Sequence, residues 1–427
     1  MQAWVYLIQR GEARFALPGS KLIFPGGRAN TSDVTGNAGL VGVIVVPEGF
    51  DAVTPIGGLT PLARHALSLQ AAGVSRIECV GAVAAEHWAH PALTVPARAV
   101  EVTPTLEGGE HGLFVDATCS PHRLAPTYVA EAWRSGRWVS PAWVGPQAGM
   151  LGVVDADALA RADAAGAVHP LPEGMFVVPA RDSQGRRDAT RRHLSTLSKS
   201  TGGMIDRFVM RPVTRQLTRM LCGTSVTPNM VSIVSIALAL VAAYLVYLPE
   251  AVFGVWGGLL LIAVRFIDCV DGELARLKYM GSRLGAWLDT LGDGVGIFAF
   301  VLAAWLHVLA TAPSDPATWQ TVGAVGLVAW VIVQVVQVMA SARISGSGSV
   351  QEIAWGHLQQ ERSVGERIIG GLAVFARIDA ISVAYALLTM GGWYRELLVL
   401  HAASATVGAL YFSLQLVRKR VAKVSAS

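Results

Sequence analysis

Asp268-Cys269-Val270-Asp271-Gly272-Glu273-Leu274-Ala275-Arg276, followed by Gly285, Asp289 and Asp293, sets four aspartates into strongly apolar sequence. A carboxylate near a bilayer costs several kcal/mol unless it is paired or coordinates a metal. Asp268 and Asp271 are three apart and Asp289 and Asp293 four apart, so each pair shares one helix face. Gly281-Ser282-Arg283-Leu284-Gly285 between them permits a sharp turn. Two antiparallel helices would then aim all four carboxylates at one point. Hard oxygen donors in that number suit one or two Mg²⁺ or Mn²⁺ ions. Gly272, Gly285, Gly292 and Gly294 allow close approach of a helix or ligand. Arg276 stays charged and can fork onto a phosphate. Metal ions facing an arginine suit displacement at phosphorus, with one carboxylate accepting the incoming hydroxyl proton. Ion pairing or proton sensing is the plainer reading, but it explains neither the glycines nor the spacing. An aspartate-rich polyprenyl transferase would need a second acidic motif, which the sequence lacks.

The chain is 427 residues long, 52% hydrophobic and 15% charged. Residues 1–195 read as a soluble domain, 196–222 as a basic linker with an amphipathic helix, 223–420 as a membrane domain and 421–427 as a tail. Six spans are expected, at about 229–248, 252–277, 288–311, 318–340, 374–391 and 394–415. The loops after spans one, three and five hold a single basic residue, Arg395, whereas Arg276, Lys278, Arg283, Arg343, Arg362, Arg367, Arg377 and Arg418-Lys419-Arg420 lie on the other side. The positive-inside rule puts that side, both termini and the aspartates in the cytoplasm. The protein is thus expected in the inner, cytoplasmic membrane, with no signal peptide at its N-terminus. Cys79, Cys119, Cys222 and Cys269 are far apart, without a CxxC pair, which argues against a disulfide framework or zinc site. The net charge of +4 is small, and no nucleic-acid partner is expected.

Gly202–Leu221 is expected to form the amphipathic helix. Arg207, Arg211, Arg215 and Arg219 recur every four residues, while Ile205, Phe208, Val213, Leu217 and Met220 fall mostly on another face. It would lie in the membrane interface with its arginines at anionic headgroups. Pro212 should kink it or mark a break.

The pattern D-x2-D-G-x2-A-R-x8-G-x3-D-x3-D, complete from Asp268 to Asp293, closely resembles the signature of the CDP-alcohol phosphatidyltransferases, integral membrane enzymes of phospholipid synthesis. Thr227-Pro228-Asn229 at the start of span one is also similar to that family. The resemblance covers about 200–420. It implies that Asp268, Asp271, Asp289 and Asp293 are metal ligands, Asp293 being the general base as well. It implies that Gly272, Ala275, Arg276, Ser282, Gly285, Thr227, Pro228 and Asn229 form the CDP site. The family chemistry is attack by an alcohol on the β-phosphorus of a CDP-alcohol, giving a phosphodiester and CMP. The family also implies a homodimer through the membrane helices.

The soluble half reads as a parallel α/β domain. Val41–Val46 is expected as a buried strand, Thr60–Ala72 as a helix, and Ile77–Val80 and Gly112–Asp116 as further strands. Thr127–Ser135 and Asp155–Gly166 are expected as further helices. Gly57-Gly-Leu-Thr-Pro61-Leu-Ala-Arg64 and Leu69-Gln-Ala-Ala-Gly73 resemble the sugar-phosphate nucleotidyltransferases. The loop Pro47–Ile56 departs from their pattern, with one glycine, no Arg, no Lys and two acids, Glu48 and Asp51. The module is therefore read as degenerate, retaining the fold without the transfer chemistry. Asp116 is read as a solvated loop acid in preference to a remnant metal ligand. The fusion layout resembles the bifunctional inositol-1-phosphate cytidylyltransferase / di-myo-inositol-phosphate-phosphate synthases. If the first module is inactive, the donor would be CDP-diacylglycerol drawn from the membrane, CDP-inositol being the alternative. Inositol phosphate ranks first as acceptor, glycerol 3-phosphate second and serine third. Arg343, Arg362, Arg367 and Arg377 are candidate acceptor-binding residues, or serve only to fix topology. The rival class is a membrane-tethered regulator whose soluble module senses a nucleotide.

Overall fold

The computed structural model describes residues 39–101, 104–107, 109–145, 150–156, 166–197, 209–311, 314–344 and 378–424. The extreme N-terminus, most of the helix expected over 155–166, and Arg207 lie outside the described residues, as do Arg362, Arg367 and Arg377. The described residues fall into two compact units. The first runs to Thr196 and includes Leu277–Tyr279; the second comprises Leu197–Arg276 and Met280 onward.

In the first unit, β1 (Leu40–Val45) is buried along its whole length. The chain then enters α1 (Pro61–Ala71), where the Thr60 hydroxyl caps the Ala63 amide at 3.2 Å. Pro61 takes a first-turn position, where a missing N–H costs nothing. β2 (Arg76–Val80) returns parallel to β1, and β4 (His111–Asp116) lies parallel on its other side. β3 (Ala97–Val100) pairs parallel with β2. This much matches the expected strands. The sheet is nevertheless mixed, not wholly parallel. β7 (Leu151–Asp155) runs antiparallel to β4, and β6 (Ala142–Val144) antiparallel to β7. The link between β6 and β7 is too short for the crossover that a parallel pair requires. β8 (Ala167–His169) completes the seven-stranded order β3-β2-β1-β4-β7-β6-β8. A separate two-stranded ribbon joins β5 (Cys119–Pro121) to β9 (Val177–Pro179). α2 (Ala125–Arg134) starts slightly earlier than expected, with Pro126 in its first turn, and α3 (Ser183–Ser195) is capped by Asp182. The core gathers Ile44, Leu62, Leu69, Ile77, Val115 and Leu151.

The second unit begins, within the described residues, with α4 (Arg211–Leu221), whose first turn holds Pro212. Val209 and Met210 directly before α4 are π-helical, so the helix geometry changes just ahead of Pro212. There follow α5 (Pro228–Tyr247), α6 (Ala251–Leu277), α7 (Arg283–Ala310), α8 (Pro316–Ile344), α9 (Ile378–Met390) and α10 (Tyr394–Val424). Four of them, α5 to α8, are long and apolar enough to cross a membrane. Among the described residues that criterion supports four of the six expected spans; the apolar stretch of α9 is shorter. Ile233, Tyr244, Trp256, Val328 and Val331 are all exposed on these helices, as a lipid-facing surface requires and a water-facing one disfavours. Inside, Phe300, Val301 and Ala304 of α7 pack with Ala242 and Val246 of α5 and Leu397 of α10. The Tyr385 hydroxyl on α9 and His401 Nδ1 on α10 form a buried hydrogen bond of 2.7 Å.

The first unit also buries three histidines, His65, His122 and His193. Ser120 Oγ and His193 Nε2 lie 2.8 Å apart. Burial lowers all three pKa values, those of His65 and His122 to about 4. Above pH 6.5 a histidine is neutral in both folded and unfolded chains and contributes no pH dependence. Below it the unfolded chain binds protons that the folded chain refuses, so stability falls from pH 6.5 towards pH 4, by up to about 1.4 kcal/mol per pH unit for His65. Denaturant midpoints followed by near-UV circular dichroism should decline over that window. His65→Leu should make the decline shallower.

Candidate functional site

The aspartates are delivered by the facing ends of α6 and α7, joined by a short turn. Carboxylate oxygens of Asp268, Asp271 and Asp289 lie within 4.8 Å of one another. Asp293, one turn beyond Asp289, is held differently. Arg265 Nη1 donates to its Oδ1 at 2.6 Å, and Arg265 Nη2 pairs with Asp268 Oδ2. Arg265 is itself buried. Two of the four aspartates therefore share an internal cation, while three converge without Asp293. The ion-pair reading is thus realised in part, alongside the carboxylate cluster and not in its place. Ser232 of α5 donates to Asp271 Oδ2 at 2.5 Å, which fixes the carboxylate rotamer. A cavity between α5, α6 and α7 is lined by Ser232, Ser235, Arg265, Asp268, Asp289 and Asp293.

The donor set is all oxygen and converges from two helices, with a hydroxyl orienting one ligand. That fits a hard divalent cation held by Asp268, Asp271 and Asp289.

The residues expected around a CDP group collect at two helix N-termini. Thr227 caps α5, its hydroxyl accepting from the Met230 amide at 3.4 Å. Ser282 caps α7, its Oγ accepting from the Gly285 amide at 2.9 Å. A side chain at Gly285 would place its Cβ 3.0 Å from Asn229 Oδ1 and 3.1 Å from Ser282 Oγ; glycine keeps that gap open. The two N-terminal dipole ends therefore lie together, an arrangement favourable to anions. Pro228 fills the first turn of α5. Arg276 folds back along α6, its Nη1 lying 3.2 Å from where a Cβ on Gly272 would stand. Ala275 lies in the same turn. Arg343 belongs to α8, but its side chain is not among those described.

Sequence reading overlooks Ser232 and the part played by Arg265. The available signal is a polar residue inside an apolar span, which needs a partner. Arg265, three positions before Asp268, meets that condition.

The match to known proteins falls on this unit. Residues 225–408 match the CDP-alcohol phosphatidyltransferase family. The chain carries a CDP-alcohol phosphatidyltransferase domain. Similar proteins include a bifunctional IPC transferase and DIPP synthase of Aquifex aeolicus (strain VF5), 32% identical over 116 residues, or 27% of this chain and 26% of that protein. A protein of the same name from Thermococcus kodakarensis is 31% identical over 148 residues, 34% of this chain and 32% of the relative. A phosphatidylinositol phosphate synthase of Mycobacteroides abscessus is 32% identical over 93 residues, 22% of this chain and 41% of the relative. The alignments thus span between about a quarter and two fifths of these relatives' lengths. The aspartates, Arg276, Gly285 and the Thr227 cap all lie within the phosphatidyltransferase domain.

The first unit offers a contrasting picture. In the loop after β1, Asp51 Oδ1 accepts from the amides of Val53 at 3.1 Å and Thr54 at 3.0 Å. Its Oδ2 lies 3.2 Å from Arg186 Nη2. Hydrogen bonds from Thr54 hold its carboxyl below the usual carboxylate range. The loop's own acid thus occupies the Val53 and Thr54 amides. Asp116 corrects the expectation of a solvated loop acid. It is 7% exposed at the end of β4, accepts from the Thr118 amide at 2.8 Å, and burial raises its pKa. The tight turn into β5 draws it inward. Arg64 is also buried, bridging the Ile56 and Gly57 carbonyls, where it braces the chain.

Mn²⁺ titration followed by electron paramagnetic resonance should detect binding that Asp271→Asn abolishes. Ser232→Ala should weaken it by about tenfold, the usual effect of losing a partner that orients a ligand.

Proposed function

We propose that residues 223–420 form a metal-dependent CDP-alcohol phosphotransferase, a domain-level activity carried by the convergence of Asp268, Asp271 and Asp289 beside two capped helix N-termini. A divalent ion held by those aspartates would offset negative charge on the diphosphate and on the departing CMP. Arg276 and the N-termini capped by Thr227 and Ser282 bind the phosphates, with Gly272, Ala275, Gly285, Pro228 and Asn229 shaping the space. Asp293 accepts the proton of the attacking hydroxyl, and Arg265 holds that carboxylate in place. The alcohol oxygen forms a bond to the β-phosphorus as the bond from that phosphorus to the bridging oxygen breaks. CMP departs and a phosphodiester remains.

The donor proposed is CDP-diacylglycerol. The first acceptor proposed is inositol phosphate, supported by the phosphatidylinositol phosphate synthase and the IPC transferase and DIPP synthases among the relatives. Glycerol 3-phosphate and serine follow, with CDP-inositol as the alternative donor. Arg343, Arg362, Arg367 and Arg377 are the proposed phosphate contacts of the acceptor. The active site is proposed to lie on the cytoplasmic face, a reading supported by the distribution of basic residues, and the protein is proposed to act as a homodimer on the family resemblance.

Purified protein given Mn²⁺, CDP-diacylglycerol and inositol phosphate should release CMP. Asp293→Asn should reduce the rate by about a hundredfold or more. Absence of CMP with every acceptor in the panel, including with CDP-inositol, would overturn the reading.

The first unit is proposed to be catalytically silent. The Asp51 carboxylate on the Val53 and Thr54 amides supports that reading. The full-length chain supplied with CTP and inositol phosphate should yield no pyrophosphate; measurable release would reverse the assignment. Calorimetric binding of CTP without turnover would instead favour nucleotide sensing.

A further inference from the structure

Glu273 lies inside the aspartate stretch yet takes no part in its carboxylate cluster. It stands two residues past Asp271, so its side chain leaves α6 on nearly the opposite face. It is fully buried. Its Oε1 accepts from Arg211 Nη1 at 2.7 Å and from Thr214 Oγ1 at 2.9 Å. Its Oε2 accepts from Thr218 Oγ1 at 2.6 Å. The three donors come from one stripe of α4, spaced three and four residues apart, and all three are buried. Nearby, Cys269 Sγ, immediately after Asp268, lies 4.0 Å from Met210 Sδ, immediately before α4.

The other stripe of α4 faces outward. Val213, Leu217 and Met220 are 47%, 36% and 74% exposed. A helix on a water-soluble protein has the reverse polarity. The expectation that Arg211 reaches anionic headgroups is therefore corrected: it turns inward because a buried carboxylate requires a cation. α4 instead offers its apolar stripe to lipid.

We propose that Glu273 is a positioning residue that clamps α4 to the back of α6. The lipid-seated helix thereby fixes the turn of α6 that carries Asp268 and Asp271. The catalytic consequence rests on the proposed phosphotransferase reading; the clamp itself does not.

The test uses full-length protein in nanodiscs of phosphatidylcholine and phosphatidylglycerol, with Cys79, Cys119 and Cys222 replaced by serine. Glu273→Gln, Thr218→Val and Thr218→Ser are compared by maleimide labelling of Cys269, by Mn²⁺ resonance, and by kcat and KM for CMP release. Glu273→Gln should speed labelling, weaken Mn²⁺ binding by about tenfold and lower kcat while leaving KM for the CDP-alcohol near its original value. Thr218→Val should act in the same direction with smaller effect, and Thr218→Ser should restore the parent behaviour. If Glu273→Gln fails to fold, the Thr218 pair decides. Unchanged labelling and Mn²⁺ affinity in Thr218→Val, or no recovery with serine, overturns the clamp. Faster labelling in variants of a protein that releases no CMP supports the clamp and defeats the phosphotransferase reading.

Discussion

A charge placed among apolar helices must meet a partner, and the second unit is arranged around that requirement. Arg265 joins Asp268 on α6 to Asp293 on α7. Arg211 reaches Glu273 from α4, and Ser232 reaches Asp271 from α5. Removing one member of such a buried pair typically costs about 3–5 kcal/mol, although replacing both by apolar groups is often tolerated. The pairs therefore contribute less as net stability than as register. They determine which turn of α6 faces which turn of its neighbours, and the convergence of Asp268, Asp271 and Asp289 depends on that register.

Small residues complete the arrangement. A Cβ on Gly257 of α6 would come within 2.6 Å of a Val246 methyl on α5, and one on Gly258 within 2.7 Å of the Ala386 carbonyl on α9. Close helix approach of this kind is how apolar helices associate without a hydrophobic driving force between them. The polar end of the bundle is then positioned by an apolar middle that tolerates little added volume.

Much of the second unit is legible in the sequence because its signals are local. Aspartates at spacings of three and four, Thr-Pro-Asn before an apolar run, and Ser282 ahead of Gly285 each report a helix face or cap without reference to distant contacts. The pairing of Arg265 with both Asp268 and Asp293 is only half local, since its second partner is 28 residues away. The inward turn of Arg211 is wholly non-local. A period of four arginines suggests one face turned to headgroups or water, and the buried Glu273 draws Arg211 away from it while Arg219 stays exposed. In the first unit, β1, α1, β2 and β4 follow from hydrophobic pattern and turn residues. The antiparallel β6–β7 pairing does not, because strands of three to five residues carry too little periodicity to declare a direction. Asp116 is misjudged for a related reason: sequence marks the end of a strand but not whether the following turn folds its side chain inward.

The order of synthesis gives the α4 clamp a further meaning. Arg211 precedes Glu273 by 62 residues, and all of α5 lies between them. A nascent chain thus presents the cationic stripe of α4 well before its anionic partner exists. During that interval Arg211, Thr214 and Thr218 lack the Glu273 carboxylate, while Val213, Leu217 and Met220 already favour the bilayer. On the proposed clamp, α4 reaches the membrane surface first and is captured as α6 arrives. Completion of the aspartate-bearing helix is in this way also the event that closes the polar side of the surface helix.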